Sequence, residues 1–228
     1  MEMHRYKDRA DQMSSLAGLT VAALSAALSE KGRATLAVPG GTTPAPYFEA
    51  LTKSDLDWSK VTILLTDERF VPVTSDRSNA RLLNRHLLTG NVAGAQFIPY
   101  YREDTTPDEL PDVLDPVLAP YLPLDFCVLG MGADMHTASI FPGADRLSEA
   151  LSLDGKHIVL PMRAPGAPEP RLTLTAPVLR AAGEIHLLIT GPEKLAALDM
   201  AQEINDWQKA PVLAVLQREH DVHVHYAD

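Results

Sequence analysis

Short unbroken apolar runs recur along the chain: Thr35–Val38 (TLAV), Val61–Thr66 (VTILLT), Leu124–Leu129 (LDFCVL) and Ile185–Ile189 (IHLLI). Runs of this length, closed by turn residues, predict strands buried on both faces. Shorter strands are predicted at His157–Leu160 and Arg171–Thr175, and Val222–Tyr226 alternates as a last one. Helical stretches lie between them. Met13–Ser29 is rich in Ala and Leu and stops near Gly32. Pro44 opens a second helix, since proline suits the first turn. Ser78–Leu88 puts Leu82, Leu83, His86 and Leu87 on one face. Pro107–Leu118 reads as a helix despite Pro111 and Pro116, Pro192–Ala201 as another, and Pro211–Gln217 as helical or turn-like. Apolar strands alternating with helices predict a largely parallel sheet covered on both faces. Ligands of such sheets gather where strand C-terminal ends meet the following loops.

With 228 residues, the chain is long enough to bury a core without staples, and one α/β domain over residues 1–228 is expected. Its 46% hydrophobic and 22% charged residues exclude a disordered or fibrous chain. No repeat or low-complexity tract occurs, and the proline-rich Pro161–Pro170 is expected to be a loop. No apolar run approaches the ~18 residues of a membrane span. The charged Met1–Asp11 carries no signal-peptide pattern. Twenty basic against thirty acidic residues give a net charge of −10, unsuited to non-specific nucleic-acid binding. An anionic small molecule needs only a local positive pocket. The lone Cys127 sits in an apolar strand, where it reads as core rather than nucleophile, and forms no internal disulfide.

Polar clusters follow four of the strands. In Pro39-Gly40-Gly41-Thr42-Thr43-Pro44, paired glycines permit close backbone approach and a helix start offers free N–H groups. The motif fits either a phosphate cradle or a tight turn with a cap. It lacks the lysine of a nucleoside-triphosphate loop, which argues against ATP. Thr66-Asp67-Glu68-Arg69-Phe70-Val71-Pro72 puts three adjacent charges at a strand end, facing a cleft or paired with one another. Ser78 and Asn79 are placed to pin that loop to the next helix. Leu129 to Ser139 (LGMGADMHTAS) sets Asp134 two positions before His136. Histidine, with an ordinary pKa near about 6.5, suits general-base work, and a nearby carboxylate can hold its tautomer; a loop-capping histidine is the alternative. Ser139 lies in no G-x-S-x-G elbow. Arg171 and Lys194 suit phosphate, or are two surface cations. His220, His223 and His225 cluster near the C-terminus without a nearby closed ligand set, so no metal is expected there.

PGGTTP, TDERFVP with the following SN, LGMGADMHTASIFPG, RLTLT and GPEK occur in the order found in 6-phosphogluconolactonases. The resemblance runs from about Thr35 to beyond Lys194. It implies a three-layer α/β/α sandwich with a Rossmann-like, mostly parallel sheet. It also implies hydrolysis of 6-phospho-D-glucono-1,5-lactone to 6-phosphogluconate, the second step of the oxidative pentose phosphate pathway, with no cofactor. His136, Asp134 and Arg69 are then expected to be catalytic, with His136 as base. Oxyanion donors would come from loop N–H groups near Gly130–Gly132 or from Arg69. Gly40, Gly41, Thr42, Asp67, Arg171 and Lys194 would bind substrate. A cytoplasmic monomer or small homo-oligomer is expected, with neither nucleic acid nor membrane as partner. Glucosamine-6-phosphate deaminases are similar at the glycine loop and the Asp-x-His segment, whereas HTASIFPG favours the lactonases. A non-catalytic sugar-phosphate sensor is a further alternative, although the chain has no basic segment to accompany it. Pro39 replaces a common Ser, and Met135 replaces the usual Gly of Asp-Gly-His.

Overall fold

The computed structural model describes all 228 residues. In chain order the strands are β1 (Glu2–Arg5), β2 (Ala34–Val38), β3 (Val61–Leu65), β4 (Asp67–Arg69), β5 (Gln96–Phe97), β6 (Phe126–Gly130), β7 (Val159–Met162), β8 (Arg171–Leu174), β9 (Glu184–Thr190) and β10 (Val222–Ala227). The α-helices are α1 (Arg9–Lys31), α2 (Ala45–Leu51), α3 (Asn79–His86), α4 (Leu110–Leu118), α5 (Leu147–Leu151), α6 (Ala176–Arg180), α7 (Pro192–Ile204) and α8 (Leu213–Leu216). Seven strands form a parallel sheet in the order β1-β10-β9-β6-β2-β3-β5, flanked by helices. The expected α/β architecture with a mostly parallel sheet is the observed one. β2 and β3 are buried at every position, as their unbroken apolar runs require.

Two predicted strands lie elsewhere. β7 and β8 leave the parallel sheet and join β4 in an antiparallel one, β4-β8-β7. Only residues 163–170 separate β7 from β8, too few for the crossover that a parallel pair needs. This connection contains most of the proline-rich stretch; Pro161 and Met162 belong to β7 itself.

α1 is long and apolar enough, by length and composition, to cross a membrane. Here it lies across β2, β6 and β10 instead. Leu16, Thr20 and Leu24 are buried on its inner face. Buried Gln12 donates from Nε2 to the carbonyls of Ile189 (2.9 Å) and His225 (2.8 Å), tying the helix to the C-terminal ends of β9 and β10. Asp8 caps its first turn and Gly32, at φ 70°, ends it.

Candidate active site

The loops after β2, β6 and β9 and the antiparallel β4–β8 pair meet over the C-terminal ends of the parallel strands. They enclose a cleft of about 280 Å³. Gly40, Gly41, Asp67, Arg69, His136, Arg171 and Lys194 all line it. Thr42 does not: it lines a neighbouring depression with Arg9 and Met13, and Thr43 is the threonine of this loop that reaches the cleft wall. Asp134 stands behind His136.

The loop after β6 is wound tightly around the Asp134–His136 pair. His136 Nδ1 lies 2.5 Å from Asp134 Oδ1, and the His136 backbone N–H donates to the same oxygen at 3.3 Å. Burial works to raise the Asp134 pKa. The hydrogen bond and charge of His136 outweigh it and hold the carboxyl below its usual range. With Nδ1–H donated to a carboxylate, Nε2 is the nitrogen left to take a proton. The ring packs on Phe141, centroids 4.1 Å apart. A Cβ on Gly132 would come within 2.2 Å of both the Asp134 carboxylate and the His136 ring, so only glycine fits beneath the pair. Met135, the departure from glycine, keeps the left-handed turn at φ 65°. A methionine there is strained, but the Asp134–His136 hydrogen bond survives.

The Gly132 N–H donates to the His136 carbonyl at 2.9 Å. It is therefore spent on shaping the loop and is not free for an oxyanion. The Arg69 guanidinium, the other donor considered, lines the cleft and keeps a buried Nε without a partner.

The three charges of Asp67-Glu68-Arg69 divide their work. Glu68 is fully buried and accepts from the backbone N–H groups of Arg69, Asn79 and Ala80 (each 2.7 Å) and from the Ser78 hydroxyl (3.2 Å). It braces the start of α3 and does not line the cleft. Burial raises its pKa, against the pull of those N–H groups. Asp67 accepts from the Ser139 hydroxyl at 2.6 Å, which makes Ser139 a buried support rather than a nucleophile. Arg69 donates to the Arg77 carbonyl at 2.6 Å.

Ser78 and Asn79 pin this loop as expected, yet Asn79 does more. Its Nδ2 donates to the Asp67 carbonyl at 2.9 Å, its Oδ1 is buried without a partner, and it lines the cleft. A Cβ on Gly40 would fall 2.1 Å from the Asn79 amide, so the glycine loop is held against α3 by contact. Only the SN dipeptide after the charged loop hinted at this. Pro39, which has no N–H to offer, is a buried wall of the cleft.

The family model of glucosamine-6-phosphate isomerases/6-phosphogluconolactonase matches residues 7–224. The chain is 43% identical over 217 residues to a 6-phosphogluconolactonase of Rhizobium meliloti (strain 1021), covering 95% of this chain and 94% of the relative. It is 43% identical to one from Pseudomonas aeruginosa over 94% of this chain and 90% of that one. A crystal structure of a 6-phosphogluconolactonase from Shewanella baltica OS155 superposes with a TM-score of 0.96 at 32% identity, covering 100% and 98% of the two chains. A monomeric glucosamine-6-phosphate deaminase shares the fold, with a TM-score of 0.82 at 18% identity.

Proposed function

The chain belongs to the 6-phosphogluconolactonase family, and on that premise we propose that it hydrolyses 6-phospho-D-glucono-1,5-lactone to 6-phosphogluconate, the second step of the oxidative pentose phosphate pathway. The observation that carries this reading is a carboxylate-held histidine beside three cations in one cleft. Water attacks the lactone carbonyl. His136 takes a proton from it through Nε2 while Asp134 fixes the ring and stabilises the imidazolium; as the tetrahedral intermediate collapses the C1–O5 bond breaks and the ring oxygen takes that proton from His136. Arg69 stabilises the tetrahedral oxyanion. Gly40, Gly41, Arg171 and Lys194 hold the 6-phosphate, and Asp67 accepts from a sugar hydroxyl. Phosphate binding at the far end positions the reacting carbonyl. No covalent intermediate is needed, in keeping with the burial of Ser139 and Cys127.

One cluster of 60 buried residues runs through the chain, which supports a single catalytic domain over residues 1–228. We place the enzyme in the cytoplasm, as a monomer or small homo-oligomer with no nucleic-acid or membrane partner. The relatives at 43% identity are lactonases, which supports that activity over the deaminase one. Proton release from the phosphorylated lactone, with spontaneous opening subtracted, tests the reading. Ammonia release from glucosamine 6-phosphate in place of lactone turnover would overturn it.

A further inference from the structure

At the opposite end of the sheet, the N-terminal ends of β1 and β10 bring three metal-ligating side chains together. β1 is the edge strand, and its register sets Glu2 directly across from His223 and His4 across from His225. His4 Nε2 and His223 Nδ1 lie 3.1 Å apart. The two Glu2 carboxylate oxygens lie 3.8 Å from His4 Nε2 and 3.3 Å from His223 Nδ1. A tetrahedral zinc with bonds of about 2.0–2.1 Å has ligand atoms about 3.3–3.4 Å apart, so the two nitrogens and the Glu2 carboxylate already stand close to that spacing. We propose that Glu2, His4 and His223 bind one Zn²⁺ ion per chain, with a fourth position open to water.

The rings are held in place before any ion arrives. His4 stacks on His225 with centroids 5.1 Å apart, and His223 stacks on His186 at 5.1 Å. His186 and His225 are themselves buried and joined by a hydrogen bond of 2.8 Å. The supporting layer therefore fixes both ligand rings by packing, the task that outer-shell groups perform at metal sites. Two imidazoles and one carboxylate suit a borderline transition ion, whereas Mg²⁺ and Ca²⁺ favour oxygen ligands. The histidines near the C-terminus lacked a closed ligand set in the sequence because its missing members lie some 220 positions earlier, on a strand that pairs in parallel with β10. His220, on the exposed segment before β10, takes no part.

The test is Zn²⁺ titration of the untagged, full-length protein by calorimetry at neutral pH, with Mg²⁺ in excess. One Zn²⁺ per chain is expected, with a dissociation constant of about 10 µM or tighter. His223→Ala and Glu2→Gln should each weaken it by at least about tenfold, the size of effect seen even for outer-shell changes. His220→Ala and His136→Ala should bind as the parent does. Glu2 is exposed, so Glu2→Gln remains informative if the histidine variant misfolds. The proposal is overturned by absence of binding, by unchanged affinity in the folded Glu2→Gln protein, or by loss of binding in His136→Ala, which would put the ion in the catalytic cleft.

Discussion

Arg69 and Arg171 stand directly opposite each other in the antiparallel β4–β8 pair. Like charges facing across two strands oppose folding. Arg171 Nε has the Glu169 carboxylate 3.8 Å away, beyond hydrogen-bond range, and each arginine keeps a buried Nε without a hydrogen-bond partner. Burial, and then Arg69, push the Arg171 pKa below its usual value. Two cations forced together at a cleft wall are the arrangement an anionic substrate relieves. The protein as a whole carries −10, but salt screens that field beyond about 8 Å, so capture rests on these short-range groups.

Removing a phosphate-reading cation should therefore change substrate preference rather than chemistry. A charge-assisted hydrogen bond contributes about 1.5–3 kcal/mol, or roughly tenfold to a hundredfold in affinity. Arg171→Ala and Lys194→Ala should each raise KM for the phosphorylated lactone by about that factor. KM for plain glucono-δ-lactone should barely move. Steady-state kinetics on both substrates decide it: equal losses on the two would remove that residue from the phosphate site.

The strained turn at Met135 makes a separate prediction. At φ 65° a side chain costs about 1–2 kcal/mol. Met135 also packs against the core, so the informative comparison is Gly with Ala, which both delete that packing. Met135→Gly should be more stable than Met135→Ala by about 1 kcal/mol, a difference of about 2–4 °C in Tm for a chain of this size. An alanine variant at least as stable as the glycine one would show that the turn is not held in the left-handed region.

The buried pair His186 and His225 couples stability to pH. Burial, and then the neighbouring imidazoles, push both rings down to about 3. The Glu184 carboxylate, 3.2 Å from His186 Nε2, pulls the other way but is half-exposed, and burial wins. Both rings stay neutral in the folded protein but protonate near pH 6.5 when unfolded. The unfolded state thus binds more protons between about pH 6.5 and 3, and stability falls as pH is lowered through that window. The loss approaches about 1.4 kcal/mol per pH unit for each ring. Urea unfolding between pH 6.5 and 5 should show a slope about half as steep in His186→Phe. An unchanged slope would mean that these rings do not set it.

How much of this was legible in the sequence depended on whether a segment's partners were local. β2, β3, β6 and β9 announced themselves because both faces are buried and nearly every residue is apolar. β1 (EMHR) gave no such signal: it is a polar edge strand that exists through pairing with β10. β4, three charged residues, has no strand propensity of its own and is shaped by β8. His136 and Asp67 were readable as cleft residues because they follow strand C-terminal ends, whereas Arg171 opens β8 and reaches the cleft through the antiparallel pairing of β8 with β4. That Thr43 rather than Thr42 lines the cleft, and that Glu68 turns inward to cap α3, depends on turn geometry and on contacts between distant segments.

The general base we propose is His136, held by Asp134. It is tested most directly by the turnover of His136→Ala on 6-phospho-D-glucono-1,5-lactone, followed by proton release with the spontaneous rate subtracted. Folding is checked on the same sample by circular dichroism. A positioned general base contributes about two to four powers of ten. The expected kcat is lower by about that much, on the phosphorylated and the plain lactone alike, with KM little changed. A folded variant turning over at close to the parent rate would contradict it.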